Sequence, residues 1–196
     1  MPPTAPLVHW EPLRKGVLLA AHPDLVDPHF ARAVVLLCEH DAEGSVGFVV
    51  NRPTDFRLSE VLPEYPRLRQ RLYEGGPVNP EQLFYVVQGA PVLQEVPLEA
   101  RWWIRKHLSW GANRAFIDSL HEGETQRNPN IRFFTGYAGW SSGQLHQECL
   151  ERSWYVLEQW DTEWLFSPAE ELWEWVVQAL HQREAQLISG ARPELN

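Results

Sequence analysis

The tripeptide Cys38-Glu39-His40 contains the residue types of a thiol nucleophile and its base. A cysteine becomes nucleophilic when an imidazole lies within hydrogen-bonding distance of its sulfur and lowers the thiol pKa. The tripeptide ends the apolar run at residues 34–37, which predicts a strand with Cys38 and His40 on one face and Glu39 on the other. Because Cβ atoms two residues apart on a strand are roughly 6–7 Å apart, direct activation is unfavourable. We therefore interpret Cys38 as a small apolar residue that finishes a buried strand, with a reactive thiol as the alternative.

Acidic and histidine side chains near this tripeptide raise the question of a metal site. His22, Asp27, His29 and His40 lie close together in the sequence. They lack the i, i+4 helical spacing of a zinc peptidase, and the chain has no Cys/His knuckle. We therefore predict no metal site and no cofactor. Glu39 and His40 lie just before a turn, and we expect them to hold its backbone by hydrogen bonds.

Two glycine-containing motifs are further candidates for binding. The motif EGGPV at residues 74–78 lacks the lysine of a phosphate loop and no helix follows it directly, so Gly75 and Gly76 predict a tight turn or a close backbone approach. The motif GYAGWSSGQ at residues 136–144 predicts a strand followed by a helix, whose free N–H groups could bind an anion. The preferred alternative is that Ser141 and Gln144 satisfy these groups as a capping box.

The elements that would position these residues alternate irregularly along the chain. Apolar runs at residues 16–22, 33–40 and 44–50 predict strands, of which the last two form a hairpin through the turn DAEG. The residues NRP end the second of these strands at Pro53. Further strands are predicted in RLYEGGPV, QLFYVVQG, ARWWIRKHLSW, IRFFTGYAGW and WYVLEQ, and helices in RLSEVLPEY, in ANRAFIDSLHEG, after Ser141 and after a second capping box that begins at Ser167. This order favours an α+β fold with a mixed sheet and helices packed against it.

Composition restricts the classes of partner. The 196 residues fit one domain, 1–196, with a proline-rich N-terminal arm at 1–15 and a frayed tail at 190–196. The net charge of −9 argues against direct DNA binding and against adsorption to anionic membranes, and we interpret the basic stretch RLRQR at residues 67–71 as solvated surface. Two distant cysteines and the lack of a signal-like leader predict a cytoplasmic protein with reduced thiols.

Three motifs follow one another in order between about Gly16 and Trp160: LAAHPDLVDPHFARAVVLLCEHDAEGSVGFVVNRP, YEGGPV and GYAGWSSGQLHQE. Together they resemble the YqgE/AlgH family of bacterial proteins. The resemblance implies a bifurcated mixed sheet that is curled into a pseudo-barrel with helices outside. It implies little about activity, because the family is largely uncharacterised, and one branch has a name that suggests transcriptional regulation. His146 departs from the family pattern, which usually has a glutamate there.

No set of catalytic residues follows from the resemblance, so Cys38 and His40 stay the candidates for catalysis. The candidate binding residues that match the motifs are Glu39, His40, Asn51, Gly75, Gly76, Tyr137, Trp140, Gln144 and Glu148. The leading hypothesis is a non-enzymatic protein that acts through a binding surface on an unknown protein or small-molecule partner. The alternatives are a thiol enzyme or redox sensor centred on Cys38, and an indirect transcriptional regulator. The sequence raises one structural question, namely whether the CEH, GGP and GYAGW segments line one cleft.

Overall fold

The computed structural model of the chain describes residues 13–89, 102–122 and 130–190. Its strands are β1 (Leu18–Ala21), β2 (Val34–His40), β3 (Gly44–Val49), β4 (Pro53–Arg57), β5 (Arg71–Glu74), β6 (Val78–Gln88), β7 (Trp102–Arg105), β8 (Leu108–Gly111), β9 (Asn130–Ser141) and β10 (Trp154–Leu157). Its helices are α1 (Leu58–Val61), α2 (Arg114–Glu122), α3 (Gln144–Leu150) and α4 (Leu172–Gly190), and two 3₁₀ turns at Thr162–Phe166 and Ala169–Glu171 precede α4. The chain is therefore a mixture of strands and helices, as the sequence predicts.

The described strands form one sheet that branches at β9. The main order is β10-β1-β2-β3-β9-β6-β8-β7, and β4 and β5 lie off this path. Strand β9 pairs antiparallel with β3 near its C-terminal end, antiparallel with β6, and parallel with β5 at Phe133–Thr135, where Leu72 to Glu74 are the partners. The parallel pairing of β5 with β9, one among the antiparallel pairings of the described strands, makes the sheet mixed, which confirms the predicted α+β class. The hydrogen-bonded path of the described strands is open, with β10 and β7 at its ends, so it is not a closed barrel.

The apolar runs of β1 and β2 arise because both faces of these strands are buried. Leu18 and Leu36 point into one core cluster, which also contains Phe48 and Phe134. Leu19, two residues of β2 and the inner face of α3 form a second cluster on the opposite side of the sheet. A strand that is buried on both faces is apolar at nearly every position, so its sequence does not alternate between polar and apolar residues. Helix α4 covers the first cluster through Leu172, Trp173 and Val176.

The structure corrects several predicted element boundaries. Pro53 does not merely end a strand but begins β4, an additional strand that the sequence analysis missed. The Ser167 capping box does not form, because the Ser167 hydroxyl donates to the Glu163 carbonyl and α4 begins at Leu172, after a 3₁₀ turn. The GGP segment joins two strands that lie on either side of β9 and do not pair with each other. Helix α1 ends before Pro63, as predicted.

The predicted arm at 1–15 lies outside the described residues except for 13–15, and the predicted tail at 190–196 lies outside them except for Gly190. None of the helices in the described ranges is both long enough and apolar enough to span a membrane.

Candidate functional site

A β-bulge in β2 determines where Cys38 and Glu39 point. The register of β2 against β3 shifts between Leu37, which faces Gly47, and Glu39, which faces Val46. An extra residue in one strand breaks the strict alternation of side chains. Cys38 enters the first core cluster, and the Glu39 carboxylate reaches Trp110, whose ring packs against that same cluster. The predicted placement of Cys38 and Glu39 on opposite faces is therefore wrong, because that prediction assumed an unbroken strand.

Cys38 is fully buried, which agrees with the prediction that it continues an apolar strand. Its exposed fraction is 0%, and its thiol is within 3.5 Å of the Leu36 carbonyl oxygen. Burial raises the pKa of the Cys38 thiol well above its ordinary value, and the negative charge of Glu39 raises it further. A thiol with a raised pKa carries almost no thiolate at neutral pH, so this environment opposes nucleophilic chemistry.

His40 is positioned by a neighbour on the opposing strand. Its Nδ1 lies 2.8 Å from Oγ of Ser45, its register partner on β3. The backbone of the turn between the strands is held instead by Asp41, whose Oδ1 accepts hydrogen bonds from the N–H groups of Glu43 and Gly44. The prediction that Glu39 and His40 hold this backbone is therefore wrong, and the role falls to Asp41, as is common for an aspartate at a turn entrance.

A cleft of about 480 Å³ opens beside the β2–β3 turn. Its walls come from β2, the turn, β3, the first residue of β6 and the end of β9, and its lining residues are Glu39, Asp41, Glu43, Gly44, Ser45, Val46, Val78, Tyr137, Gly139 and Trp140. The CEH segment contributes Glu39, the residue after GGP contributes Val78, and the GYAGW segment contributes Tyr137, Gly139 and Trp140. Three motifs that are far apart in the sequence therefore meet at one depression.

Gly75 and Gly76 support the cleft from outside its lining. Because they have no side chain, the segment between β5 and β6 can contact the backbone of β9. The Gly75 carbonyl accepts from the Val49 N–H, and the Gly75 N–H donates to the Thr135 carbonyl, at 2.8 Å each. A Cβ atom on Gly76, whose φ is +150°, would lie 2.3 Å from the carbonyl carbon of Tyr137. The predicted close backbone approach is confirmed, and it fixes the backbone that carries Tyr137.

Glu148 on α3 ties together the aromatic side chains next to the cleft. Its Oε2 accepts hydrogen bonds from the indole N–H groups of Trp140, at 2.9 Å, and Trp154, at 2.8 Å. Its Oε1 accepts from the Gln144 side-chain amide at 2.9 Å. Hydrogen bonds to a carboxylate are stronger than neutral ones, so this cluster holds the Trp140 ring rigidly against β9.

The predicted capping of α3 is half formed. The Gln144 side-chain oxygen accepts from the backbone N–H and the hydroxyl of Ser141, but α3 begins at Gln144 with Gly143 as its N-cap and with no side-chain cap. Helix α3 has seven residues, so it offers little dipole for the anion site that was the other reading of this motif.

Asn51 is the candidate that lies apart from the cleft. Its side chain accepts from the Val34 N–H at 2.8 Å and donates to the Arg32 carbonyl at 2.9 Å, which fastens the loop before β2 to the loop after β3. Of the other candidates, Glu39, Tyr137 and Trp140 line the cleft, Gln144 and Glu148 support it, and Cys38 is in the core. Glu43, Ser45 and Val78 were not predicted from the sequence, and they belong to the site through spatial proximity alone. Asp41 was also not predicted, although its position at the turn entrance was a usable signal.

The described ranges contain no group of three or more His, Cys, Asp or Glu side chains arranged to hold a metal ion. Within the same ranges, both cysteines are free and buried. Burial raises the pKa of Cys149 to about 12, and the neighbouring Glu148 carboxylate adds to the rise.

The fold and the cleft define an α+β protein that is built on a branched, open sheet and has an acidic depression beside one hairpin. The chain belongs to the AlgH-like family DUF179, whose sequence profile matches residues 18–185. This match confirms the resemblance that the three motifs indicated.

Relatives and solved structures agree with this assignment. The chain is 33% identical over 187 residues to a UPF0301 protein of Chlorobium phaeobacteroides, covering 95% of this chain and 96% of the relative. It is 34% identical over 170 residues to a UPF0301 protein of Chlorobaculum tepidum, covering 84% and 85%. The solution structure of the AlgH protein from Pseudomonas aeruginosa superposes with a TM-score of 0.68 at 25% identity, covering 92% of this chain and 95% of that one. A crystal structure of protein DIP2367 from Corynebacterium diphtheriae has the same fold, with a TM-score of 0.67 at 23% identity over 86% and 87% of the two chains.

Proposed function

We propose that this protein is a cytoplasmic, non-enzymatic binding protein and that its binding surface is the cleft beside the β2–β3 turn. The observation that carries the proposal is the convergence of the CEH segment, of Val78 directly after GGP, and of the GYAGW segment on one depression of about 480 Å³. Small-molecule sites are concave and combine apolar walls with a few placed polar groups, and this cleft has both. Val46 and Val78 supply apolar surface, and the Ser45 and Tyr137 hydroxyl groups supply hydrogen bonds.

The charge of the lining selects the class of ligand. Glu39, Asp41 and Glu43 are acidic, and the lining residues include no lysine, arginine or histidine. Glu39 already accepts a hydrogen bond from Trp110, which orients its carboxylate without neutralising it. A ligand that carries a positive charge on a small apolar body therefore fits best, because the aromatic ring of Tyr137, which is only partly buried, also favours cations.

The non-enzymatic part of the proposal is supported by the environment of Cys38. Its sulfur is buried in the core and its pKa is raised, so it does not face the cleft as an activated nucleophile would. In this proposal any effect on transcription is indirect, because the acidic surface of the cleft repels the DNA backbone.

The proposal also includes a curl of the sheet into the pseudo-barrel of the family. The support is the hydrogen bond of 3.2 Å from the Trp110 indole N–H on β8 to Glu39 on β2, two strands that are not neighbours in the sheet. A flat sheet would hold these strands several strand spacings of about 4.8 Å apart.

The test is calorimetric titration of the purified protein with a panel of organic amines, namely choline, agmatine and spermidine, and with succinate as the anionic counterpart. We expect at least one amine to bind and succinate not to bind. Glu39→Gln keeps an oxygen for Trp110 but removes the charge. Gly139→Ala places a methyl group 3.1 Å from the Tyr137 ring and 3.6 Å from Val78, which narrows the cleft. We expect Glu39→Gln to weaken amine binding about threefold, the size of one lost solvent-accessible ion pair. We expect Gly139→Ala to weaken it as well, because the added methyl group occupies part of the cleft.

The matched control is Glu171→Gln, which removes one negative charge from an exposed position on the 3₁₀ turn before α4. It should bind the amine as the unmodified protein does. Binding of none of the amines, or equal loss in the control variant, would overturn the proposed use of the cleft.

A further inference from the structure

A row of arginines occupies a surface that the cleft does not include. Arg67, Arg69 and Arg71 are exposed. Leu68, which lies between the first two, and Leu72, which follows Arg71, are buried. Alternate residues of an extended segment project from the same side and are spaced by about 7 Å. Arg69 and Arg71 therefore project from the same side of the segment that leads into β5. Arg67 lies just before them, in the turn that the Leu68 N–H closes onto the Tyr65 carbonyl at 3.1 Å. These arginines form a basic cluster in a chain whose net charge is −9.

The sheet register adds a fourth arginine to this row. Arg57, the last residue of β4, is the register partner of Arg71 on β5. Like charges that face each other directly across an antiparallel pair are destabilising. The Arg57 guanidinium donates a hydrogen bond of 2.8 Å to the Arg69 carbonyl, and the Arg57 backbone N–H donates to the Glu60 carboxylate at 2.7 Å. The Arg71 guanidinium lies 3.8 Å from the Glu170 carboxylate. Within the described ranges, Arg67 and Arg69 have no carboxylate within ion-pair distance.

An exposed aromatic side chain lies at the end of this row. Strand β4 bulges between Pro53 and Arg57, and the Thr54 hydroxyl fills the gap by donating to the Leu72 carbonyl at 3.0 Å. Within this irregular stretch Phe56, which precedes Arg57 in the chain, has 59% of its surface exposed. A large apolar ring next to unneutralised cations is the composition of protein contact surfaces.

We propose that Phe56, Arg57, Arg67, Arg69 and Arg71 form an acidic-peptide dock. Its occupant is an extended segment of a partner protein with carboxylates at alternate positions and one apolar side chain at its end. The spacing contributes to the complementarity, because alternate side chains of an extended peptide repeat at the same interval of about 7 Å as Arg69 and Arg71. The guanidinium group suits carboxylates because it donates two parallel hydrogen bonds.

A protein segment fits this surface better than a nucleic acid does. Asp55, Glu60 and Glu64 are exposed among the arginines and would repel a continuous polyanion. A peptide can place neutral residues against these carboxylates and an apolar side chain against Phe56. A uniform phosphate backbone can do neither.

The test uses the full chain and a fluorescein-labelled synthetic peptide of sequence FESESE, titrated by fluorescence anisotropy at low salt. We expect measurable binding that weakens strongly between about 50 mM and about 300 mM salt. The peptide FSSEEE has the same composition with contiguous glutamates, and we expect it to bind more weakly. The double variant Arg67→Gln/Arg69→Gln should weaken FESESE binding about three- to tenfold, since each exposed ion pair contributes little alone. Phe56→Ser should weaken it about threefold.

The matched control is Lys15→Gln/Lys106→Gln, which removes two charges from exposed positions outside the dock. It should bind FESESE as the unmodified protein does, and circular dichroism should show all variants folded. The inference is overturned if the unmodified protein does not bind FESESE. It is equally overturned if both double variants lose the same affinity, or if single-stranded oligo-dT of equal charge binds more tightly through the same arginines. None of these outcomes affects the cleft, whose ligands and variants are different.

Discussion

Removing the Glu148 side chain is expected to destabilise the protein far more than removing a carboxylate from an exposed position on a helix. Glu148→Ala deletes the acceptor of three hydrogen bonds, two of which come from the indole groups of Trp140 and Trp154. Both indoles are buried, with 6% and 5% of their surfaces exposed. The variant therefore leaves two N–H donors without their partner in surroundings that water reaches poorly.

The magnitude follows from the cost of an unsatisfied buried donor, which is about 1–3 kcal/mol. Two donors give about 2–6 kcal/mol. Because Glu148 itself is half-buried, water can enter its place in part, and we expect the lower range of about 2–4 kcal/mol. For a chain of this size the melting temperature should fall by about 5–15 °C. Glu148→Gln keeps an oxygen that can accept from both indoles, so its cost should be about 1 kcal/mol.

Equilibrium urea unfolding, followed by tryptophan fluorescence and circular dichroism, measures these differences. The control is Glu151→Ala, one residue beyond the same helix, which loses a single exposed hydrogen bond from Gln147 and should cost at most about 0.5 kcal/mol. If Glu148→Ala and Glu151→Ala differ by less than about 1 kcal/mol, the carboxylate does not hold the two indoles as argued.

Three further predictions concern the thiols, the glycines and metal ions. Burial raises the pKa of Cys38 and Cys149, so stability is full below the unfolded thiol pKa of about 8.5 and is lost as pH rises above it. The free energy of unfolding from urea titrations should fall by about 2–4 kcal/mol between about pH 8 and about pH 10, and less in Cys38→Ala; a flat profile contradicts this. Gly76→Ala should cost at least about 3 kcal/mol because its methyl group meets the β9 backbone, and Gly143→Ala, with open space around it, about 1 kcal/mol; equal values from the same titrations would refute the close approach. Treatment with a chelator should leave the melting temperature unchanged, and a large drop would reveal a structural metal.

Much of the fold could be predicted because local patterns specify it. The apolar runs of β1 to β3 and the hairpin turn between β2 and β3 are properties of neighbouring residues, and the structure agrees with them. The start of α4 could not be predicted from its capping pattern. Ser167 instead follows the 3₁₀ turn at Thr162–Phe166. Its hydroxyl donates to the Glu163 carbonyl, a local contact, and its carbonyl accepts from the Arg132 guanidinium, a tertiary contact, so both groups are held in other interactions.

The candidate site was predictable only in part, for a similar reason. Glu39, Tyr137 and Trp140 were found through the motifs, but which of them face one another depends on the bulge at Cys38 and on the insertion of Gly75 between β3 and β9. Val78 and Ser45 have no chemical signature of their own. They enter the site because the register of the sheet places them there.

The branch at β9 has a consequence for how the chain acquires its structure during synthesis. Strand β9 begins at residue 130, yet it is the partner of β3, β5 and β6, which leave the ribosome dozens of residues earlier. Until β9 emerges, those three strands have unpaired edges of the kind that templates aggregation. Long-range pairings of this sort form slowly. The nascent chain therefore needs its last third, which contains β9, to cover the strand edges that would otherwise self-associate. A truncated product that ends before residue 130 would keep these edges exposed and would aggregate more readily than the full chain.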